Sequence, residues 1–285
     1  LWAALAEMGV LAVLAPESAG GLGMDEVDFV RILEEAGYAG VPDPLMEHAA
    51  VAVPAFAEAE SPHLGPALSG ETTCTVSLGG YAVGAAMADV VVVADDVGLA
   101  AATSWTASDV NSIDQSRRLA RLDAIDAVDP LSGADGPLAY DRAVLGTAAQ
   151  CVGVARRLLD ATVEYVGERH QFGKPVGSYQ AVKHHLANVR LAVEFAAPLV
   201  YRAAWSVAHP ESHDAVIRGR DVSMAKAMAS DAVDEACRAA LQCHGAIGYT
   251  FEYDLQLWLK RGWAIAAAYG DARTHRDRVA DALGI

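Results

Sequence analysis

Two short stretches decide how this chain folds: residues 168–180 read ERHQFGKPVGSYQ, and residues 242–250 read QCHGAIGYT. Each follows a long segment with helical apolar periodicity and brings in glycine, which predicts that each motif is borne at the end of a helix. From the second stretch to Ile285, the only glutamate is Glu252. The pair of motifs, and the single glutamate after them, are the strongest signals in the sequence.

Each motif residue also has a plain structural interpretation. The alternatives are an ion pair of Arg169 with Glu164 or Glu168, a buried Phe172, and a helix C-cap at Gly245 or Gly248. Histidines 184, 185 and 244 could be imagined as metal ligands, but no Glu-x-x-His pairs of the di-iron type accompany them. We therefore predict no metal site, and we expect all three to be satisfied or surface histidines.

The C-terminal half, residues 136–285, reads as a helical bundle. From Tyr140 to Val166, apolar residues recur at helical spacing opposite a polar face. Short connections between the following helices favour antiparallel neighbours. The predicted helices are about Gln180–His209, Ala215–Cys243, Glu252–Tyr269 and Ala272–Leu283.

Two further regions precede this bundle. Residues 1–70 read as a helical domain with one helix over Leu1–Leu14, a second that is capped by Asp25, and an alanine-rich third. Residue 1 is Leu and already lies in a helical pattern, so we expect that an N-terminal piece is missing. Residues 71–135 read as a small β module, with short β-type runs at Thr72–Leu78, Val90–Ala94, Leu99–Thr103 and Leu119–Leu122.

Composition excludes several classes of protein. The net charge of −16 over 285 residues repels phosphate backbones, so nucleic acid is not an expected partner. No apolar run approaches the roughly 20 residues that cross a bilayer, and no signal segment opens the chain. The four cysteines lack metal-site spacing and fit reduced, buried thiols. We expect a cytoplasmic protein without membrane contact.

In this order of regions and motifs, the chain resembles the acyl-CoA dehydrogenase family over nearly its whole length. The resemblance rests mainly on residues 168–180 and 242–253, with weaker support from the Pro-Glu-x-x-Gly-Gly pattern in Ala15–Gly23. Residues 109–119 also resemble a stretch of actinobacterial members that act on steroid side chains. The implied fold is α+β, with an N-terminal helical domain, a small central β module and a C-terminal helical bundle.

The resemblance implies an FAD cofactor that is shared between subunits. Arg169 would bond to the pyrophosphate of a neighbour's FAD, Gln180 would reach the same cofactor, and Phe172 would lie against its adenosine portion. The segment from Gln242 to Ala246 would meet the same dinucleotide through its backbone and the glutamine side chain. The implied cofactor-binding residues are Arg169, Gln171, Phe172, Gln180, Gln242, Cys243, Gly245 and Ala246.

The departures from the family pattern concern catalysis. Dehydrogenation of an acyl thioester needs a base for the α proton, and most family members place a glutamate in a Tyr-Glu-Gly-Thr context. The matching segment here, Ala268–Ala272, has none, and the place of the base in a minority of members matches about Ala143. The β module also lacks the segments that hold the isoalloxazine ring in the usual homotetramers.

The chain resembles in particular the subunits of actinobacterial α2β2 dehydrogenases that act on steroid side chains, in which two related chains share each FAD. With the departures above, this resemblance implies a non-catalytic subunit of an FAD-dependent acyl-CoA dehydrogenase that acts on a bulky CoA thioester, for example that of a steroid side chain. A second family member carrying the catalytic glutamate would complete an α2β2 assembly, with helical surface from residues 140–269 as the assembly face. One alternative is a self-sufficient dehydrogenase with Asp271 as its base. Another is a flavin-free scaffold, against which the presence of Arg169, Gln180 and Gln242 argues.

Overall fold

The computed structural model describes residues 1–94, 98–212 and 214–285. Contacts between Cα atoms divide the chain into two units. Unit 1 comprises Leu1–Phe29 and Val41–Gly146, and unit 2 comprises Val30–Gly40 and Thr147–Ile285. The first helices thus group with the central sheet, whereas the boundaries 1–70, 71–135 and 136–285 stay a prediction.

The N-terminal segment is helical, as predicted, but it is more divided than its periodicity indicates. Helix α1 ends at Glu7, because Gly9 has a φ of +76° and turns the chain into a short 3₁₀ turn. Asp25 caps α2 as predicted, since its Oδ1 accepts the Val27 N–H at 2.8 Å. The elements are α1 (Trp2–Glu7), α2 (Glu26–Ala39), a π-helical segment (Met46–Ala52), α3 (Val53–Glu58) and α4 (Leu64–Leu68).

Within the described residues, a five-stranded sheet has the order β1-β3-β4-β5-β2. Its strands are β1 (Cys74–Ser77), β2 (Tyr81–Val83), β3 (Val90–Ala94), β4 (Leu99–Asp109) and β5 (Leu119–Pro130). Strands β1 and β3 pair in parallel, and the other pairs are antiparallel. Small apolar residues, among them Ala82, Val91 and Ala102, form a buried core on this sheet.

The β4–β5 hairpin is longer than its sequence indicates. Leu99–Ala102 is buried, but from Thr103 onward the residues of β4 are mostly exposed, and register shifts interrupt the pairing beyond Ala102. Apolar alternation therefore marks only the part of the hairpin that lies over the core. Strand β2 has only three residues, too few for a periodic signal, and we did not predict it.

His48 connects three elements of unit 1 and is fully buried. Its Nδ1 accepts the Cys74 N–H at 3.0 Å, so its Nε2–H donates to the Ala67 carbonyl oxygen at 3.1 Å. Trp2 packs edge-on against the imidazole, with ring centroids 4.9 Å apart. Burial lowers the pKa of His48 to about 4, so the folded protein holds this ring neutral.

Unit 2 contains the helical bundle, and its helix bounds follow the prediction closely. The helices are α5 (Gly136–Glu168), whose first residues belong to unit 1, α6 (Gln180–Ala208), α7 (Ala215–His244), α8 (Leu255–Ala267) and α9 (Ala272–Leu283). Glu34 of α2 is buried, accepts a hydrogen bond from the Tyr201 hydroxyl at 2.6 Å and pairs with Arg156. Both motifs belong to this unit: the first begins at the end of α5, and the second lies at the end of α7.

The first prediction concerns His48 and pH. His48 binds a proton near pH 6.5 in the unfolded chain but only near pH 4 in the folded chain. The stability that the neutral ring contributes is therefore fully present above pH 6.5 and is lost as the pH falls from 6.5 towards 4. His48 alone lowers the unfolding free energy by roughly 2 kcal/mol between pH 7.5 and pH 5. His48→Gln supplies one donor and one acceptor without titrating, so urea unfolding of this variant has the weaker pH dependence. Equal slopes in both proteins would contradict a neutral buried His48.

Candidate functional site

The first motif forms a small hairpin directly after α5. Strands β6 (His170–Gln171) and β7 (Lys174–Pro175) pair in antiparallel fashion around a two-residue tip. At the tip, Phe172 and Gly173 have φ angles of +53° and +80°, as in the primed turns that suit two-residue hairpins. Phe172 is 92% exposed, so the turn presents an aromatic ring to the outside of the chain.

Short contacts fix this hairpin to the start of α6. The Val176 N–H donates to the Arg169 carbonyl oxygen at 2.7 Å, and the Tyr179 hydroxyl donates to the Gln171 carbonyl oxygen at 3.3 Å. The Lys174 ammonium lies 4.1 Å from the centre of the Tyr179 ring. Gln180 follows as the first residue of α6 and is exposed.

Arg169 and Phe172 do not have the plain structural roles that we considered. In the part of the chain that the structure describes, the Arg169 side chain is exposed and forms no ion pair, so pairing with Glu164 or Glu168 is wrong. The exposure of Phe172 equally excludes a core role within this chain. Both side chains are available to a ligand or another subunit.

The second motif ends α7. Gly245 is the C-cap, as one alternative predicted, and its N–H donates to the Leu241 carbonyl oxygen. Its φ of +62° and ψ of −136° belong to a region that only glycine adopts readily, and a Cβ atom there would meet no atom within 4 Å. Gln242, Gly245 and Ala246 are exposed, whereas Cys243 is half-buried and burial raises the pKa of its thiol.

The structure brings the two motifs together through Tyr165 and His244. Their rings are stacked with centroids 4.3 Å apart and an angle of 17° between the planes. The Tyr165 hydroxyl also lies 3.5 Å from the His244 carbonyl oxygen. The expectation that His244 is satisfied or lies at the surface is wrong, because it is only 4% exposed and its Nε2 is buried without a hydrogen-bond partner among the described residues.

The segment Ala268–Ala272, which matches the position of the family's catalytic glutamate, forms a tight turn with no free space for a side chain at Gly270, and we call it the closed turn. Tyr269 and Gly270 have φ angles of +54° and +104°, and a Cβ atom on Gly270 would lie 2.9 Å from the His275 Nε2. That Nε2–H donates to the Tyr269 carbonyl oxygen at 3.0 Å. Lys226, which is fully buried, donates to the carbonyl oxygens of Ala266 at 2.8 Å and Gly270 at 2.9 Å.

Neither alternative base position has the environment of a base. Asp271 is the N-cap of α9, and its Oδ1 accepts from both the Thr274 N–H and the Thr274 hydroxyl at 2.8 Å. These bonds lower the pKa of the Asp271 carboxyl, which weakens it as a proton acceptor. Ala143 is fully buried in α5 and has no group that could accept a proton.

Glu252, the one glutamate after the second motif, lines a cavity of about 350 Å³ in unit 2. Its lining includes one cation, Arg157, with four carboxylates and three aromatic rings: Glu164, Glu168, Glu252, Asp254, Tyr165, Tyr253 and Trp258. The carboxylates outnumber the single guanidinium, and the resulting negative charge repels phosphate. The exposed side chains of the two motifs, rather than this cavity, are therefore the candidate site for a dinucleotide.

Comparisons with known proteins agree with the resemblance seen in the sequence. Residues 1–60 match the profile of the acyl-CoA dehydrogenase N-terminal domain, and residues 135–284 match that of the C-terminal domain. The chain belongs to the acyl-CoA dehydrogenase family. Acyl-CoA dehydrogenase IpdE2 of Mycolicibacterium smegmatis is 34% identical over 281 residues, which cover 98% of this chain and 86% of that protein.

Solved structures confirm the predicted α+β fold class. The ChsE4–ChsE5 complex from Mycobacterium tuberculosis matches with a TM-score of 0.87 and 23% identity, over 99% of this chain and 87% of that chain. The Tcur3481–Tcur3483 steroid ACAD matches with a TM-score of 0.85 and 24% identity, over 99% of this chain and 88% of that chain. At these identities the likeness supports the fold alone.

The residues of this acyl-CoA dehydrogenase-family chain fit the FAD that the family implies. Arg169 offers an exposed guanidinium that pairs with no carboxylate among the described residues, and Gln180 and Gln242 offer exposed amides. At Gly245 the missing Cβ leaves open space beside the backbone, where a ligand could approach closely. His244 and Tyr165, which sequence reasoning missed, carry one usable signal: Tyr165 precedes Arg169 by one helical turn.

A second prediction tests the closed turn. Gly270→Glu, which restores the family's glutamate, lowers the unfolding free energy by more than about 2 kcal/mol, because the backbone and the His275 ring both oppose a Cβ atom. Gly284→Glu is the matched control, since Gly284 has a φ of +72° but nothing within 4 Å of its Cβ position. Thermal unfolding compares the two. A Gly270→Glu variant as stable as its control would show that the turn can hold a carboxylate.

A third prediction concerns the strained tip of the hairpin. Asparagine tolerates a positive φ better than phenylalanine, so Phe172→Asn keeps the fold and raises the unfolding free energy of the isolated chain by up to about 1 kcal/mol. Thermal unfolding with circular dichroism measures this change. A clear loss of stability would instead mean that Phe172 packs within its own chain.

Proposed function

We propose that this chain is a non-catalytic subunit of an FAD-dependent acyl-CoA dehydrogenase. The observation that carries the proposal is the closed turn at Gly270, which leaves no room for the family's catalytic carboxylate. The two motifs that would face the cofactor are nevertheless present, and Arg169, Phe172, Gln180 and Gln242 in them are exposed. A chain that retains one half of a flavin site and lacks the base fits an enzyme whose second subunit supplies the base.

The proposed cofactor-binding residues lie at the ends of α5 and α7. Arg169 would hold the pyrophosphate by charge-assisted hydrogen bonds, Gln180 and Gln242 would add amide contacts, and Phe172 would lie against the adenosine portion. Gln171, Cys243, Gly245 and Ala246 complete the proposed set, mainly through backbone that lies close to the dinucleotide. When bound, FAD accepts the hydride from the acyl thioester.

The geometry along α7 supports the assignment of these residues to a neighbour's cofactor. Lys226 holds the turn at Gly270, and His244 ends the same helix 18 residues later. At 1.5 Å per residue, the two positions are about 27 Å apart along the helix. One chain's motifs and its own base position therefore face different parts of an assembly.

The partner is proposed to be a second acyl-CoA dehydrogenase-like subunit in an α2β2 arrangement. Two of the matched structures are complexes of two named chains, ChsE4–ChsE5 and Tcur3481–Tcur3483. Helix α6 offers a surface for assembly, since Leu191 and Phe195 lie one turn apart and both are largely exposed. The partner would carry the catalytic glutamate and take the α proton.

The proposed substrate is a bulky CoA thioester of the steroid side-chain class. The support is the steroid ACAD among the matched structures and the likeness of residues 109–119 to actinobacterial members of that class. We place the complex in the cytoplasm, where buried thiols such as those of Cys74 and Cys237 stay reduced. In the part of the chain that the structure describes, no helix has the length and apolar character to cross a membrane.

The fourth prediction separates the accessory role from a self-sufficient enzyme with Asp271 as base. The chain is co-expressed with a family member encoded beside it that carries a catalytic glutamate, and dehydrogenation of a steroid-side-chain CoA thioester is measured. Asp271→Ser keeps a residue that caps α9 but removes the carboxylate, so activity stays within about twofold. Replacing the partner's glutamate by glutamine abolishes activity.

The same complex tests the motif residues. Arg169→Gln weakens FAD binding by roughly tenfold to a hundredfold, since a charge-assisted bond to phosphate is lost. Arg238→Gln is the matched control, because Arg238 is an exposed helical arginine that pairs only with Asp234 among the described residues. If Asp271→Ser abolishes activity, the self-sufficient reading replaces this proposal. If no partner yields bound FAD, the flavin-free scaffold replaces it.

A further inference from the structure

His244 occupies the contact between the two motifs, although none of the proposed cofactor contacts includes its side chain. It is the last residue of α7 and immediately precedes Gly245. Its ring stacks on Tyr165, whose carbonyl oxygen accepts the Arg169 N–H at 2.9 Å. One side of the stack is therefore joined by backbone to the first motif, and the other side belongs to the second.

The hydrogen bonds of the imidazole do not account for its position. Its Nδ1–H donates to the Ala240 carbonyl oxygen at 2.8 Å, one helical turn back. Its Nε2 is buried and accepts no hydrogen bond from any described residue. An unsatisfied buried acceptor destabilises the fold by about 1–3 kcal/mol. The stacking contact with Tyr165 therefore keeps the His244 ring in this position, although burial of the unpaired Nε2 is unfavourable.

A third ring and a glycine complete this arrangement. Tyr253 lies 5.5 Å from the His244 ring centre and 6.2 Å from that of Tyr165. A Cβ atom on Gly248 would lie 3.1 Å from the His244 Cβ, so the second glycine of the motif leaves the space that His244 occupies. We name Tyr165, His244 and Tyr253 the aromatic joint.

We propose that the aromatic joint holds the hairpin of residues 168–180 and the segment of residues 242–250 in one fixed relation, with His244 as a positioning residue. The stack fixes the end of α5 relative to the end of α7. Arg169 and the hairpin follow directly after α5, so their position depends on this contact. Its importance for FAD rests on the proposed function. The mechanical coupling between the two segments does not, because both belong to this chain.

The chain contains a matched control for His244. His209 is the C-cap of α6 and stacks on Trp205 with centroids 4.6 Å apart and an angle of 19°. Its Nδ1–H also donates to a carbonyl oxygen one turn back, that of Trp205, at 2.9 Å. Both histidines thus stack on an aromatic ring and donate one turn back, but His209 is only half-buried, its partner ring belongs to its own helix, and it joins no motif.

The fifth prediction is tested first by amide hydrogen exchange of the isolated chain. His244→Ala raises exchange in residues 168–180 by about tenfold, although this segment is more than 60 residues away in sequence, because the stack that orients it is lost. His209→Ala leaves that segment unchanged. His244→Phe keeps the ring contact and removes the orphaned nitrogen, so it restores slow exchange without loss of thermal stability. Unchanged exchange in His244→Ala overturns the proposal.

The consequence for the cofactor is measured in the co-expressed complex by titrating FAD and following flavin fluorescence. His244→Ala weakens binding by about tenfold, and His244→Phe recovers it to within about threefold. A complex that binds no FAD with the unaltered chain contradicts the proposed function and leaves the exchange result standing. Equal FAD affinity in the unaltered chain and His244→Ala overturns the role of the joint toward FAD.

Tyr165→Leu removes the stack from the other side and serves if His244→Ala does not fold. It is expected to increase exchange in residues 242–250, beyond its own helix. If Tyr165→Leu folds and exchange in that segment does not change, the coupling is refuted.

Discussion

The functional assignment depends on the hydrogen bonds of one buried group, the ammonium of Lys226. A charge that is removed from water needs compensating polar groups, and Lys226 donates to the Ser230 hydroxyl and to the carbonyl oxygens of Ala266 and Gly270. Those carbonyls belong to the end of α8 and to the turn that follows it. Because the chain must present them inward, the turn takes positive φ angles at Tyr269 and Gly270.

The packing of this turn explains why the chain has no catalytic base there. His275 adds a second inward hydrogen bond, to the Tyr269 carbonyl oxygen, and burial lowers its pKa to about 4, so it lies there as a neutral ring. Asp271 is then committed to the cap of α9. Lys226, His275 and Asp271 thus each bond to the backbone of this turn or of α9. At the far end of α7, by contrast, the side chains of Arg169, Gln180 and Gln242 lie exposed.

Much of this could be predicted from the sequence, because helical periodicity and cap residues are local signals. The bounds of α6, α7 and α9, the cap at Asp25 and the glycine at the end of α7 all follow from short-range patterns. The fold class followed from two motifs in a fixed order.

The environments of single side chains could not be predicted in this way. Burial of His244 depends on a tyrosine 79 residues earlier, and burial of Lys226 depends on carbonyl oxygens about 40 residues later. The exposed half of the β4–β5 hairpin has no apolar alternation to reveal it. Tertiary contacts decided these features, and they are the ones that distinguish a cofactor-holding subunit from a catalytic one.

The central claim is that this chain contributes to a flavin site that it cannot complete alone. The most direct measurement is the ratio of FAD to protein, by absorbance together with the mass of the species in solution, for the isolated chain and for the chain co-purified with its partner. We predict a colourless isolated chain and a yellow heterotetramer. An isolated chain that retains one FAD per subunit and oxidises an acyl-CoA would contradict the account.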